Sequence, residues 1–179
     1  MTRMTRTVVA AGTCGVVAAF GAPAVSPAGA TTAPRVSAVN CRPAQLRVSV
    51  GRPSGAAGTI YYPIVFTDLG GACWIWGVAQ VQPVVGAKHH PQGPPATNAS
   101  VGELPARHQL VHGGAVSDGY GVAESGNYPP ARCRARNAGG VIVSLAPFIR
   151  PTFLALRISV CTRVASTHTQ LLVAGRTGA

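Results

Sequence analysis

From residue 41 onward, apolar and polar residues alternate with a period of two, the spacing of a half-buried strand. In "AQLRVSV" Leu46, Val48 and Val50 fall on one face, and Gln45, Arg47 and Ser49 on the other. The run "RPSGAAG" at 52–58 is turn chemistry, and "TIYYPIVFTD" at 59–68 is a second strand rich in β-branched and aromatic residues. Pro63 inside it cannot donate to a ladder, which predicts a sheet edge or a bulge there. After the turn Asp68-Leu69-Gly70-Gly71, "CWIWGVAQVQPVV" at 73–85 predicts a third strand with a bulge at Gly77. Further strands are predicted over 107–112, 115–122, 140–146, 153–160 and 169–174, and no window carries a sustained helical stripe. Two long irregular segments, 86–106 and 117–139, separate them. The pattern predicts an all-β fold, an antiparallel β-sandwich of immunoglobulin-like architecture with seven to nine strands. The antibody order, with a core Trp a dozen or so residues after the first Cys, is missing.

The first thirty residues read as an export signal and not as fold. Arg3 and Arg6 form a positive start, Thr7 to Val25 is uncharged and rich in Val and Ala, and Ala28-Gly29-Ala30 offers the small residues of a cleavage site. Cleavage after Ala30 is expected, with Ala22-Pro23-Ala24 as the alternative. The arginines are not adjacent, which gives no support to a twin-arginine signal, and Cys14 sits too early for a lipoprotein motif. The expected organisation is a signal peptide at 1–30, a flexible lead-in at 31–40 and a single domain over 41–179. The later apolar stretch 141–160 has a membrane-spanning length, but Arg150, Arg157, Pro147 and Pro151 interrupt it. No transmembrane helix is expected in the mature chain.

Without its signal the chain keeps 13 basic residues against four acidic ones, a balance that favours anionic partners. An anionic cell-wall polymer, a polysaccharide or an acidic protein is the expected partner class. Setting Cys14 aside leaves Cys41, Cys73, Cys133 and Cys161, an even count that reads as a disulfide framework in an exported domain. There is no C-x-x-C, so zinc-knuckle and thioredoxin-type chemistry are not expected. Three connectivities are open. Cys41–Cys73 with Cys133–Cys161 is favoured because each closes a loop of about thirty residues, worth ~3–4 kcal/mol in chain entropy.

The order of these elements carries a resemblance. A cysteine before "LRVSVG", then "GAAGT", "FTDLGGAC", "WGVAQVQPV", "LVHGGAV" at 110–116, Cys133 and "RISVC" at 157–161 resemble an uncharacterised family of secreted actinobacterial four-cysteine domains. Asp68 stands where that pattern has Asn, and Val78-Ala79-Gln80-Val81 replaces its Pro-Gly-Val element. The resemblance implies a secreted β-sandwich and brings no catalytic residues with it.

Candidate chemistry is sparse. His108 and His112 have the spacing of a zinc helix, but the general-base position is Gln109. On a strand the two histidines lie about 13 Å apart at ~3.3 Å per residue, too far to share an ion. His89-His90 sit in a proline-rich loop. Asp68, Glu103, Asp118 and Glu124 are the only acids, and none are spaced as an acid/base pair. No metal, cofactor or catalytic residue is expected.

Binding is better supplied. Trp74 and Trp76, the only tryptophans, share one face by alternation, while Cys73 and Ile75 share the other. If the cysteine face is core, the tryptophans must be lidded by a loop or offered as a stacking platform. Arg132, Arg134 and Arg136 would form a row of guanidinium groups if extended, able to grip carboxylate or phosphate. Without interleaved aromatics they do not suggest nucleic acid. Tyr120 and Tyr128 lie in the second long loop and complete the candidate set. The expectation is a secreted or cell-wall-associated binding or structural module without chemistry of its own. The alternatives are an envelope hydrolase with a loop-assembled site and a secreted enzyme inhibitor.

Overall fold

The computed structural model describes residues 39–178. The export signal, Cys14 and the lead-in up to residue 38 lie outside the described residues. The strands are β1 (Val39–Asn40), β2 (Leu46–Val50), β3 (Ser54–Ala56), β4 (Thr59–Asp68), β5 (Cys73–Ile75), β6 (Gln80–Val85) and β7 (His90–Pro91). They continue with β8 (Thr97–Asn98), β9 (His108–Leu110), β10 (Ala115–Ala123), β11 (Ala135–Leu145), β12 (Ile149–Cys161), β13 (Thr167–Thr169) and β14 (Val173–Ala174). One short helix, α1 (Pro130–Cys133), interrupts them among the described residues.

Two sheets face each other. One runs β2-β4-β10-β13-β8, with β3 and β14 added at its flanks; the other runs β12-β11-β6-β7. A third, small sheet, β1-β5-β9, closes one end. The core forms where the inward faces meet: Ile64, Phe66, Val116, Tyr120 and Val122 from the first sheet, and Val81, Val141, Val143, Ile158 and Val160 from the second. Alternation decides this, because every second residue of each strand points to the same side. In β2 it is Leu46, Val48 and Val50 that pack inward, as the pattern predicts. The sandwich is therefore as expected, with more and shorter strands than seven to nine, and with parallel pairs β1–β5 and β8–β13 beside the antiparallel ones.

Several boundaries differ from the sequence pattern, each for a local reason. Pro63 is not on an edge strand: β4 pairs with β10 on one side and with β2 and β3 on the other. The Gly51 N–H donates to the Pro63 carbonyl, at 2.7 Å, so the ring nitrogen faces the gap where the chain passes from β2 to β3. The reciprocal bond, from a residue-63 N–H to the Gly51 carbonyl, is the one the proline forgoes, at the point where the β2 ladder ends. The predicted strand 73–85 is two strands in different sheets. Gly77, at φ +119°, makes the corner between them instead of a bulge, a conformation suited to glycine. The segment 117–139 is mostly strand, since β10 and β11 take both its ends. Likewise β7 and β8 lie within 86–106, and the last two lead-in residues, Val39 and Asn40, are β1.

Both favoured disulfides are present, Cys41–Cys73 and Cys133–Cys161. The first ties the chain beside β1 to β5; the second ties α1 to the end of β12. Among the described residues no helix is long and apolar enough to cross a membrane.

Candidate functional site

The small end sheet carries the most chemically distinctive surface. Cys73 and Ile75 are fully buried, so Trp74 must point outward from β5. The register then sets its neighbours: Asn40 of β1 pairs with Trp74 on one side and Gln109 of β9 on the other. Directly paired residues share a face, which makes Asn40, Trp74 and Gln109 a transverse row with an indole between two carboxamides. Asn40 and Gln109 are exposed and Trp74 is half-buried.

Trp76 has a different role from Trp74. The chain leaves β5 after Ile75, and Trp76 packs edge-on against Phe148 with ring centroids 4.7 Å apart. It is partly buried against the core and anchors the site to the body of the sandwich. Arg107, one residue before β9, lays its guanidinium over both indoles, 4.6 Å from the Trp76 centroid and 5.4 Å from that of Trp74. This is cation–π geometry. The lid anticipated for the tryptophans is thus a single exposed arginine. A guanidinium held only by ring faces keeps its donors available to an anion.

The remaining candidates are scattered. Arg132 lies in α1, Arg134 caps it in the left-handed region at φ 48°, and Arg136 is the second residue of β11. All three are exposed, but a helical turn breaks the row that extension would have made. Pro130 at the start of α1 and the buried Cys133 force that turn. Tyr128 is half-buried beside α1, away from the tryptophans' sheet in sequence and strand pairing.

Tyr120 is a correction. It is 0 % exposed in the core, where it cannot meet a partner. Burial pushes its phenol pKa upward, and Thr167, its polar neighbour, is not in bonding geometry with the hydroxyl. Tyr120→Phe should therefore raise the urea unfolding free energy by about 1 kcal/mol, because it removes an unsatisfied buried hydroxyl without changing the ring.

Each aspartate holds backbone N–H groups, and Asp68 also keeps a buried Oδ2 without a partner among the described residues. Asp68 Oδ1 accepts from the Gly70 N–H at 2.8 Å and from Gln45 Nε2 at 3.0 Å, pinning the turn into β5. An asparagine would offer the same oxygen, which explains why Asp68 can stand in an Asn position of the resembling pattern. Asp118 is fully buried; its carboxylate oxygens accept from the Ala79 N–H at 2.9 Å and the Gln170 N–H at 3.0 Å. Glu103 and Glu124 are exposed. His108 Nε2 donates to the Leu172 carbonyl at 2.8 Å, and His89 stacks on Phe153, so these histidines serve packing and hydrogen bonding. Among the described residues no three His, Cys, Asp or Glu side chains gather as a metal site.

The family model for a domain of unknown function, DUF4232, matches residues 41–173, from the first disulfide cysteine to β14. The chain belongs to the DUF4232 family. No curated protein and no solved structure matches it. In this DUF4232 domain the match encloses both disulfides and all the site residues except Asn40, which precedes its first position by one. Asn40, Arg107 and Gln109 were not singled out from sequence. The signal that could have found them is strand pairing, which a single chain does not display.

Proposed function

We propose that this DUF4232 domain is an extracellular, non-catalytic binding module that holds an acidic polysaccharide of the cell envelope against the Trp74 face. The observation that carries the reading is the Asn40–Trp74–Gln109 row with Arg107 over the indoles. Arg107, exposed and resting on ring faces, turns off the Trp74 indole when the polymer binds; the freed face stacks on the C–H face of a sugar ring, and the flanking carboxamides donate to and accept from its hydroxyls. Arg107 pairs with a carboxylate on the same polymer, a charge-assisted contact stronger than a neutral hydrogen bond. The two disulfides, the export-signal pattern and the resemblance to secreted actinobacterial four-cysteine domains support an address outside the reducing cytosol.

The test uses the purified chain with polygalacturonate as the acidic probe and dextran as the neutral one. Polygalacturonate should shift the tryptophan emission, with Trp76 remaining as reporter in the Trp74→Ala variant. That variant should weaken binding at least ~tenfold, which corresponds to ~1.4 kcal/mol of lost stacking and hydrogen bonding. Raising the salt should weaken it further, as expected for an exposed ion pair. Equal affinity for dextran, or equal affinity after Trp74→Ala, would sink the proposal.

A second reading, docking of a partner protein, rests on the loop that leads into Arg107. Leu104 is 93 % exposed on it, an anchor of the kind a secreted inhibitor inserts into an apolar pocket. Leu104→Ser separates the two: it leaves polygalacturonate binding unchanged and abolishes capture of a protein that uses the loop.

A further inference from the structure

We infer that a groove on the outer face of the β12-β11-β6-β7 sheet is a subsite for an acetamido sugar, independent of the Trp74 face. The groove holds about 440 Å³ and is lined by Gln80, Gln82, Pro95, Ala96, Ile142 and Ser144. Its shape is a product of register. Gln80 of β6 lies directly opposite Ser144 of β11, and Gln82 opposite Ile142, so two carboxamides, a hydroxyl and an aliphatic side chain share one small field.

The walls are fixed in advance. Ala96 donates its N–H to the Val81 carbonyl at 2.8 Å, which holds the Pro95–Ala96 segment along the edge of β6. Gln82 Nε2 donates to the Gly93 carbonyl at 3.1 Å and the Pro83 carbonyl at 2.9 Å. Both amide hydrogens of Gln82 are thus used, and its Oε1 is left to accept. Gln80 and Ser144 have no intramolecular side-chain hydrogen bond among the described residues. Beside Ile142, in the same cross-strand row, Phe153 is 41 % exposed and stacks on His89 with centroids 4.1 Å apart. Phe153 lies so close over Gly140 that a Cβ there would collide with its ring, so the bare glycine lets the ring lie flat beside the groove.

The lining contains no charged side chain, in a chain of net charge +11. An anionic unit finds no counter-charge in this groove, so the ligand is neutral where it sits. Its donors and acceptors must match a carbonyl acceptor, a hydroxyl and a carboxamide, next to an apolar wall of Ile142, Pro95 and Ala96. An acetamido group meets each requirement at once. Its N–H donates to Gln82 Oε1, its carbonyl accepts from Ser144 or Gln80, and its methyl lies on Ile142. A sugar with a hydroxyl at that position leaves the apolar wall facing a polar group, a mismatch that costs affinity.

The experiment titrates the ¹⁵N-labelled protein with N,N′,N″-triacetylchitotriose (chitotriose below) and with cellotriose, which differ in the acetamido groups that replace the 2-hydroxyls. Chitotriose should move the resonances of Gln80, Gln82 and Ser144, and cellotriose should bind at least ~tenfold more weakly, a difference of ~1.4 kcal/mol. The double variant Gln80→Ala/Ser144→Ala should weaken chitotriose binding at least ~tenfold with an unchanged melting temperature. Trp74→Ala should leave it unaltered, so failure of the polygalacturonate test and failure of this one are distinct results. Equal binding of the two trisaccharides overturns the inference. So does loss of binding in Trp74→Ala, resonance changes confined to other surfaces, or no change up to ~10 mM sugar.

Discussion

Replacing Asp118 with alanine is expected to destabilise the fold by about 4 kcal/mol at pH 5, and by roughly 2 kcal/mol less at pH 8. The size follows from what the carboxylate holds. It accepts from Ala79, at the corner between β5 and β6, and from Gln170, between β13 and β14. Alanine would leave two buried N–H groups without acceptors, each costing ~1–3 kcal/mol. The pH dependence follows from burial. Desolvation raises the Asp118 pKa from 3.8 to about 7, and the two N–H donors only partly oppose it. Between those values the folded state holds a proton that the unfolded state has released. The stabilisation tied to that proton is fully present below pH ~4 and is lost as pH rises through ~7.

His168 works in the opposite direction. Burial lowers its pKa, so stability from its neutral form is lost as pH falls below its ordinary value. Comparing wild type with Asp118→Ala by urea unfolding at pH 5 and pH 8 removes the His168 contribution, since both proteins carry it. Equal losses at the two pH values would show that Asp118 is ionised throughout the range.

The disulfides carry the second large effect. Replacing both cysteines of either pair with alanine should cost about 3–4 kcal/mol, because the bridged residues are 32 and 28 positions apart. The two losses should be separable in the tryptophan signal. Cys41–Cys73 sits beside the β1–β5 pairing that places Asn40 against Trp74, so its removal should red-shift the emission and weaken polygalacturonate binding together. Cys133–Cys161 fastens α1 to the far end of β12, and its removal should lower the unfolding midpoint while leaving native emission unchanged. Identical emission in both variants would contradict the placement of the Trp74 face.

Much of the fold could be read from period-two alternation, which identified the inward residues of β2 and put Trp74 on the face opposite Cys73 and Ile75. It was ambiguous where glycine let a strand read as a loop as well. In β10, Gly119 and Gly121 face away from the core and lie under the Gly178 carbonyl and the His168 ring, contacts that leave no room for a Cβ. Read alone, "SDGYGV" belongs both to the predicted strand 115–122 and to the start of the irregular segment 117–139, which left Tyr120 available; packed, it is a central strand with Tyr120 inside. The arginine row failed for a related reason, because the turn of α1 at Pro130 separates residues that an extended chain would align.

The sequence by itself determined the class of the fold, favoured one of three cysteine pairings by loop length, and put Trp74 on the face opposite Cys73 and Ile75. These are local properties, set by alternation along a strand and by the number of residues between two thiols. Only the tertiary structure decided that Asn40 and Gln109 flank Trp74, that Arg107 covers it, and that Gln80 meets Ser144 across a groove. Those neighbours come from strands distant in the chain, and their juxtaposition is fixed by sheet order and register, which are settled when the whole core packs.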